Sequence, residues 1–146
     1  MKRSKTNHLI KRVSTLHQAL AMAPSLQPTP EINQLFTTLV GATADASKQE
    51  IQAILSHPKI KALQPHLHHI CSMGEYELEL FWSRRIAKSA DAKRELESFP
   101  YLKNYLDPAR LEFHAMQMTG KNPKRVLFVG AGPLPLSAYM LATQHG

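Results

Sequence analysis

The most constraining feature of this sequence is a glycine turn close to its end. Residues 125–136 read RVLFVGAGPLPL, in which four apolar residues lead into Gly130, Ala131 and Gly132. A strand, a glycine turn and a helix in this order open an α/β nucleotide-binding domain. Since the apolar run does not alternate with polar residues, we predict a strand buried on both faces. Only ten residues follow Leu136, so we expect that domain to be incomplete in this chain.

The prolines of this stretch narrow the ligand that the turn can hold. The third glycine of the dinucleotide pattern would fall at Pro135, and Pro133 and Pro135 lack the N–H groups that a pyrophosphate needs. A ligand without phosphate, such as S-adenosylmethionine, fits better, and a turn that binds nothing is the alternative. The residues predicted to contact this ligand are Gly130, Ala131, Gly132, Pro133 and Leu134.

Helical patterns fill the chain before the turn. Leu9, Val13, Leu16 and Leu20 are spaced by four, three and four residues, which predicts an amphipathic helix over about 5–22. Further helices are predicted over about 30–41, with Thr29 as N-cap, and over about 44–55, 65–90 and 108–119. The predicted fold is mainly α. An N-terminal helical bundle covers residues 1–122, and residues 123–146 begin a truncated Rossmann-like domain with its first strand–turn–helix.

Two acids on the long predicted helix are candidates for acid–base chemistry. Glu75 and Glu79 are one turn apart, about 40° around the helix axis, in a stripe that also holds Cys71 and Trp82. We therefore expect both carboxylates to be at least half buried, which is costly unless they are partnered or neutralised. An exposed glutamate pair beside the following arginines is the alternative.

Aromatic and imidazole side chains supply further candidates. Tyr101 and Tyr105 are also four residues apart, and core packing with satisfied hydroxyls is the alternative to a role in a site. His66 and His69 share a helix face, but no acid or cysteine lies at a fitting spacing. We therefore predict no metal site, with ligation by these histidines as the alternative.

Charge and cysteine content bound the function class. Lys and Arg number 18 against 11 Asp and Glu, a net charge of +7, which indicates a solvated basic surface or else an acidic small molecule or nucleic acid as partner. The single cysteine, Cys71, excludes an intrachain disulfide. No signal peptide or membrane-spanning run is visible, so a cytoplasmic location is expected.

Four stretches, in order over about 110 residues, resemble motifs of the nicotianamine synthase family. Residues 26–40 (LQPTPEINQLFTTLV) resemble its proline-rich lead-in and "LFT-x-LV" helix, and residues 70–79 (ICSMGEYELE) resemble "LCGEAEGxLE". Residues 99–113 resemble "FPYYxNYLxLxxLEF", and residues 125–136 resemble "RVAFVGSGPLPLT". Met73 and Gly74 stand where the plant pattern has Glu-Ala, which favours a microbial member of the family.

The resemblance implies a helical bundle packed on a Rossmann-like domain that binds S-adenosylmethionine as co-substrate. It implies transfer of the aminobutanoate (3-amino-3-carboxypropyl) group to an amino-acid amine, with release of methylthioadenosine, in the biosynthesis of a metal-chelating metallophore. On this reading, no metal is expected to be required for the reaction.

Site roles follow from the chemistry that the resemblance implies. The attacking amine must lose a proton, and a carboxylate in a partly apolar site can serve as general base. Glu79 is the predicted base and Glu75 its partner or alternative. Tyr105 would relay the proton or orient the amine, and Tyr101 would line the site.

Two alternatives stay open: a fragment of an S-adenosylmethionine-dependent methyltransferase, and a basic helical binding module. We expect the chain to be inactive alone, because a Rossmann-type site takes an acidic residue from a second strand. The expected partner is a small-molecule amino acid. A membrane or nucleic-acid partner is not expected, and a homodimer is the candidate assembly.

Overall fold

The computed structural model of the protein describes residues 2–44, 46–120 and 125–144. These residues are mainly helical, as predicted, and none of them forms a β-strand. No helix among them is long and apolar enough to cross a membrane. In chain order, the helices are α1 (Lys2–Ala21), α2 (Pro30–Ala44), α3 (Lys48–Ser56), α4 (Pro58–Lys88), α5 (Ala92–Glu97), α6 (Leu102–Met118) and α7 (Leu136–Gln144).

The chain divides into two compact units, Met1–Leu78 and Glu79–Gly146. The boundary between them falls inside α4. The domain boundary near residue 122, which the sequence suggested, stays a prediction.

The core of the first unit is built on the apolar stripe of α1. Leu20 is only 2% exposed, and full burial of such a side chain contributes about 1.5–3 kcal/mol. The helix contacts both α2 and α3, which confirms that its apolar face is directed inward. The buried members of this core are Ile10, Val13, Leu16, Leu20, Leu39, Ile60 and Ile70.

Gly74 lets a phenylalanine ring lie directly against α4. A Cβ atom added at Gly74 would lie 2.3 Å from Cζ of Phe36, far inside van der Waals contact. Phe36 itself packs against the core of the first unit. The glycine that departs from the plant pattern is therefore required by local packing, and this requirement is not visible in the sequence.

The predicted N-cap agrees with the structure, but two predicted helix starts do not. The Thr29 hydroxyl accepts a hydrogen bond from the Ile32 N–H at 3.3 Å, which confirms the predicted N-cap. Ser47 and Glu50 form a capping box that begins α3. Pro65 and Pro108 were predicted to begin helices, but both lie inside them, in α4 and α6. Each removes one helical hydrogen bond, and packing of the helix on both sides of the proline overrides that local cost.

The second unit has its own apolar core, to which α4, α6 and α7 all contribute. Helix α6 packs against α7. Ala109 of α6 is 1% exposed. The buried members are Trp82, Phe99, Ala109, Leu134, Leu136 and Met140.

The strand predicted over residues 126–129 is wrong for this structure. Residues 125–128 have no regular secondary structure. Leu127 and Val129 are 87% and 88% exposed, which contradicts burial on both faces. A strand is held by hydrogen bonds to a neighbouring strand, and the described residues supply no such neighbour. The Rossmann-like strand–turn–helix is therefore not supported, although α7 follows the turn as the helix pattern predicted.

Candidate functional site

Glu79 is a buried carboxylate whose two oxygens have different partners. Glu79 lies on α4 and is only 9% exposed. Oε1 accepts a hydrogen bond from the Tyr105 hydroxyl at 2.5 Å. Oε2 accepts a longer one, 3.4 Å, from the backbone N–H of Leu134. A buried carboxylate needs such donors, since an unpartnered charge in an apolar interior is very costly.

The glycine turn closes directly over this carboxylate. Gly130 and Gly132 both have left-handed backbone conformations, with φ of 82° and 68°. A Cβ atom at Gly132 would lie 2.6 Å from Oε2 of Glu79, whereas one at Gly130 would meet nothing within 4 Å. Leu134 and Leu136 are buried and anchor the turn on the second unit. The two glycines are thus needed for different reasons: Gly130 for its backbone conformation, and Gly132 also for space.

Tyr105 reaches Glu79 from α6. Its ring lies 6.0 Å from the ring of Phe99, centroid to centroid, and Phe99 also neighbours Trp82 and Tyr101. Tyr101, the other predicted tyrosine, is half-buried and immediately precedes α6. The Tyr105 ring thus belongs to a group of aromatic side chains that meet at Phe99.

The remaining predicted site residues differ in their surroundings. Glu75 is exposed, so its predicted half-burial is wrong: one turn before Glu79, the helix face is covered less completely. Gly130 and Ala131 are exposed, Pro133 is half-buried and Leu134 is buried. Contacts therefore bring together Glu79, Tyr105, Gly132 and Leu134.

The surroundings of Cys71 make its thiol less reactive than an ordinary exposed thiol. Burial, and then the nearby Glu75 carboxylate, raise the pKa of the Cys71 thiol above its ordinary value. A thiol that is protonated at neutral pH is a weak nucleophile and a weak metal ligand. In the parts of the chain that the structure describes, no group of three or more His, Cys, Asp or Glu side chains is placed to hold a metal ion.

Phe99 is a residue of this site that sequence reasoning missed. It is 3% exposed and lies between α5 and α6. The available sequence signal is its place at the start of the aromatic stretch FPYLKNYL, in which Tyr101 and Tyr105 are the predicted site residues. The contact of Gly132 with Glu79 had no sequence signal, since 53 residues separate the two.

The geometry defines what the arrangement can do chemically. A buried carboxylate with one phenol donor and one backbone donor keeps further lone pairs that can accept a proton. A carboxylate positioned in this way next to a glycine turn is the arrangement expected of a general base beside a ligand-binding loop.

Comparison with known proteins places the chain in a family. A family model described as nicotianamine synthase protein matches residues 2–146. The chain belongs to the nicotianamine synthase family.

Plant members of the family are among the relatives of this chain. It is 36% identical over 140 residues to "Probable nicotianamine synthase 4" and to "Nicotianamine synthase 8" of Hordeum vulgare. It is 35% identical over 139 residues to "Nicotianamine synthase 2" of Oryza sativa subsp. indica. Each match covers 94% of this chain but only 42% of the relative, so the chain spans less than half the length of these proteins. No solved structure matches the chain.

Proposed function

We propose that this sequence carries part of an S-adenosylmethionine-dependent aminobutanoyltransferase. The reaction moves the 3-amino-3-carboxypropyl group of the donor to an amino-acid amine and releases methylthioadenosine, in the biosynthesis of a metal-chelating metallophore. The observation that carries the proposal is the Glu79 carboxylate, which accepts a hydrogen bond from Tyr105 and is covered by the turn at Gly132. Family membership supports the same chemistry.

Glu79 acts as the general base in this proposal. An amino-acid amine is protonated at neutral pH and cannot attack carbon until a proton leaves. The proton passes to a Glu79 oxygen, and the nitrogen lone pair attacks the donor methylene next to the sulfonium. The carbon–sulfur bond breaks, and its electron pair neutralises the sulfonium, which leaves as a thioether. General base catalysis of this kind contributes about 10²–10⁴-fold.

The neighbouring residues divide the remaining tasks. The Tyr105 hydroxyl orients Glu79 or relays its proton, since it already donates to Oε1. Tyr101 lines the acceptor side, and Glu75, which is exposed, is the alternative base. The residues proposed to contact the donor are Gly130, Ala131, Gly132, Pro133 and Leu134.

Product analysis tests this function against simple methyl transfer. A polypeptide of the relatives' length that contains this sequence is incubated with S-adenosylmethionine and a mixture of amino acids, and the nucleoside by-product is separated by chromatography. We expect methylthioadenosine. S-adenosylhomocysteine as the by-product would instead assign a methyltransferase.

Substitution of the base tests the role of Glu79 in the same assay. Glu79→Gln keeps the shape of the side chain but cannot accept the proton, so kcat falls by about 10²–10⁴-fold. Glu97→Gln is the matched control, since Glu97 is an exposed glutamate of the second unit. Equal turnover by Glu79→Gln and the control would exclude Glu79 as the base.

A further inference from the structure

Phe99 is held rigidly at the junction of α5 and α6. Its backbone N–H donates to the Leu96 carbonyl at 2.9 Å, and its own carbonyl accepts from the Leu102 N–H at 3.1 Å. With 3% exposure, the ring is almost completely enclosed. Both the main chain and the side chain of Phe99 are therefore fixed.

Three aromatic rings are arranged around that of Phe99. The Trp82 ring lies 5.6 Å away at 65°, and the Tyr101 ring 6.3 Å away at 67°. The Tyr105 ring lies 6.0 Å away at 49°. Aromatic pairs favour edge-to-face and tilted geometries with centroids 4.5–7 Å apart, so all three contacts are attractive. Phe99 is the ring that these three side chains share.

An ionic contact fixes the segment that leads to Phe99. Arg85 lies over the Trp82 ring, 4.9 Å from its centroid, and its guanidinium pairs with Glu95 of α5. Trp82 is only three residues from Glu79 on α4. The helix that carries the carboxylate is thus tied to the segment that delivers the Phe99 ring.

We propose that Phe99 is a positioning residue that holds the Tyr105 phenol on the Glu79 carboxylate. The Tyr105 ring is half-buried and turns about two side-chain torsions, so the Phe99 ring beside it limits the orientations open to it. Without Phe99, the phenol leaves Oε1 for a part of the time. The consequence for catalysis rests on the proposed function; the hydrogen bond itself does not.

Nuclear magnetic resonance of the whole chain tests this inference without any turnover. Tyrosine labelled with ¹³C at Cζ reports the hydrogen bonding of each phenol, and this chain has 4 tyrosines. Tyr105→Phe assigns the Tyr105 signal, and Glu79→Leu gives its position without the acceptor. Phe99→Ala and Phe99→Leu both remove the aromatic ring, and Phe99→Leu keeps most of the side-chain volume. Met140→Ala, at another buried position of the same unit, controls for general loss of packing.

We expect the Tyr105 signal of Phe99→Ala to move toward its position in Glu79→Leu. Phe99→Leu moves it less, and Met140→Ala leaves it in place. Where Phe99→Ala lacks native circular dichroism, Phe99→Leu carries the test. A signal that stays at its original position in folded Phe99 variants, or that moves equally in Met140→Ala, overturns the positioning role alone. A signal unchanged in Glu79→Leu overturns the Glu79–Tyr105 pair and with it the proposed function.

Discussion

The Oε2 atom of Glu79 lies 2.6 Å from the point that a Cβ atom on Gly132 would occupy. The turn and the carboxylate therefore constrain each other before any ligand is bound. Glycines in such turns are usually explained by the approach of a ligand. Here the protein's own glutamate already requires one of them.

Gly132→Ala should be more damaging than Gly130→Ala. Both positions have positive φ, so each alanine carries a backbone cost of about 1–2 kcal/mol. Only Gly132→Ala must also push the Glu79 carboxylate aside. Urea unfolding of the two variants, with the Tyr105 signal as a second readout, makes the comparison. Equal losses of stability, with Glu79 still bonded to Tyr105, would contradict the steric coupling.

Tyr105→Phe should destabilise the second unit, because it removes a donor from a buried carboxylate. Hydrogen bonds to charged groups contribute about 1.5–3 kcal/mol, so the urea midpoint should fall measurably. In the Glu79→Leu background the same change should cost less, because this acceptor is already absent. A cost independent of Glu79 would mean that the hydroxyl serves another partner.

Gly74→Ala should destabilise the first unit, whereas Gly41→Ala should not. A Cβ at Gly74 meets the Phe36 ring at 2.3 Å, and overpacking of a core costs about 1–3 kcal/mol. Gly41 lies inside α2 with open space around it, so alanine there should stabilise the helix by about 0.5–1 kcal/mol. Phe36→Leu combined with Gly74→Ala should recover part of the loss. Thermal unfolding of the three variants tests this. A loss in Gly74→Ala that Phe36→Leu does not reduce would mean that the steric conflict with Phe36 is not the cause.

Acidification should weaken the first unit through a pair of histidines. Nε2 of His17 lies 3.0 Å from Nδ1 of His66, and burial, then the proximity of His66, lower the pKa of His17 below 6.5. His17 therefore binds a proton more readily in the unfolded chain than in the folded one. The stabilisation is complete above pH 6.5 and is lost as the pH falls through the lowered value.

Urea unfolding between pH 5 and 8 measures this effect of the histidine pair. His17→Gln should flatten the pH dependence, because the shifted group is removed. His68→Ala, at an exposed position on the same helix as His66, should leave the dependence as it is. A wild-type profile that His17→Gln does not change would assign the pH dependence to other groups.

Local sequence signals predicted the presence of the helices better than the residues at which they begin and end. The spacing of Leu9, Val13, Leu16 and Leu20 identified the buried face of α1, because that face repeats with the helical period. Pro65 and Pro108 were wrong as helix starts, since the cost of a proline is local and the packing that outweighs it is not. The strand failed for a related reason: its apolar residues have strand character, but strand structure depends on a neighbour.

The site was predictable in its residue types and only partly in its geometry. Glu79 and Tyr105 were selected through the family motifs and the chemistry of an amine nucleophile, and the structure brings their side chains into contact. The same helical stripe that predicts burial of Glu79 also predicts burial of Glu75, but Glu75 is exposed. Periodicity gives the direction of a side chain around the axis, but not how far along the helix the covering elements extend.

The sequence by itself determined the mainly helical character, the α1 core stripe, the Thr29 cap and the family. Each of these depends on residues close together in the chain or on motifs that can be read one at a time. Only the tertiary structure decided that Glu79 has its hydrogen-bond partners, that Gly132 must lack a Cβ, and that Phe99 is next to Tyr105. Those facts depend on atoms brought together across 6 to 55 residues, and contact distances of a few ångströms are decided by packing rather than by local propensity.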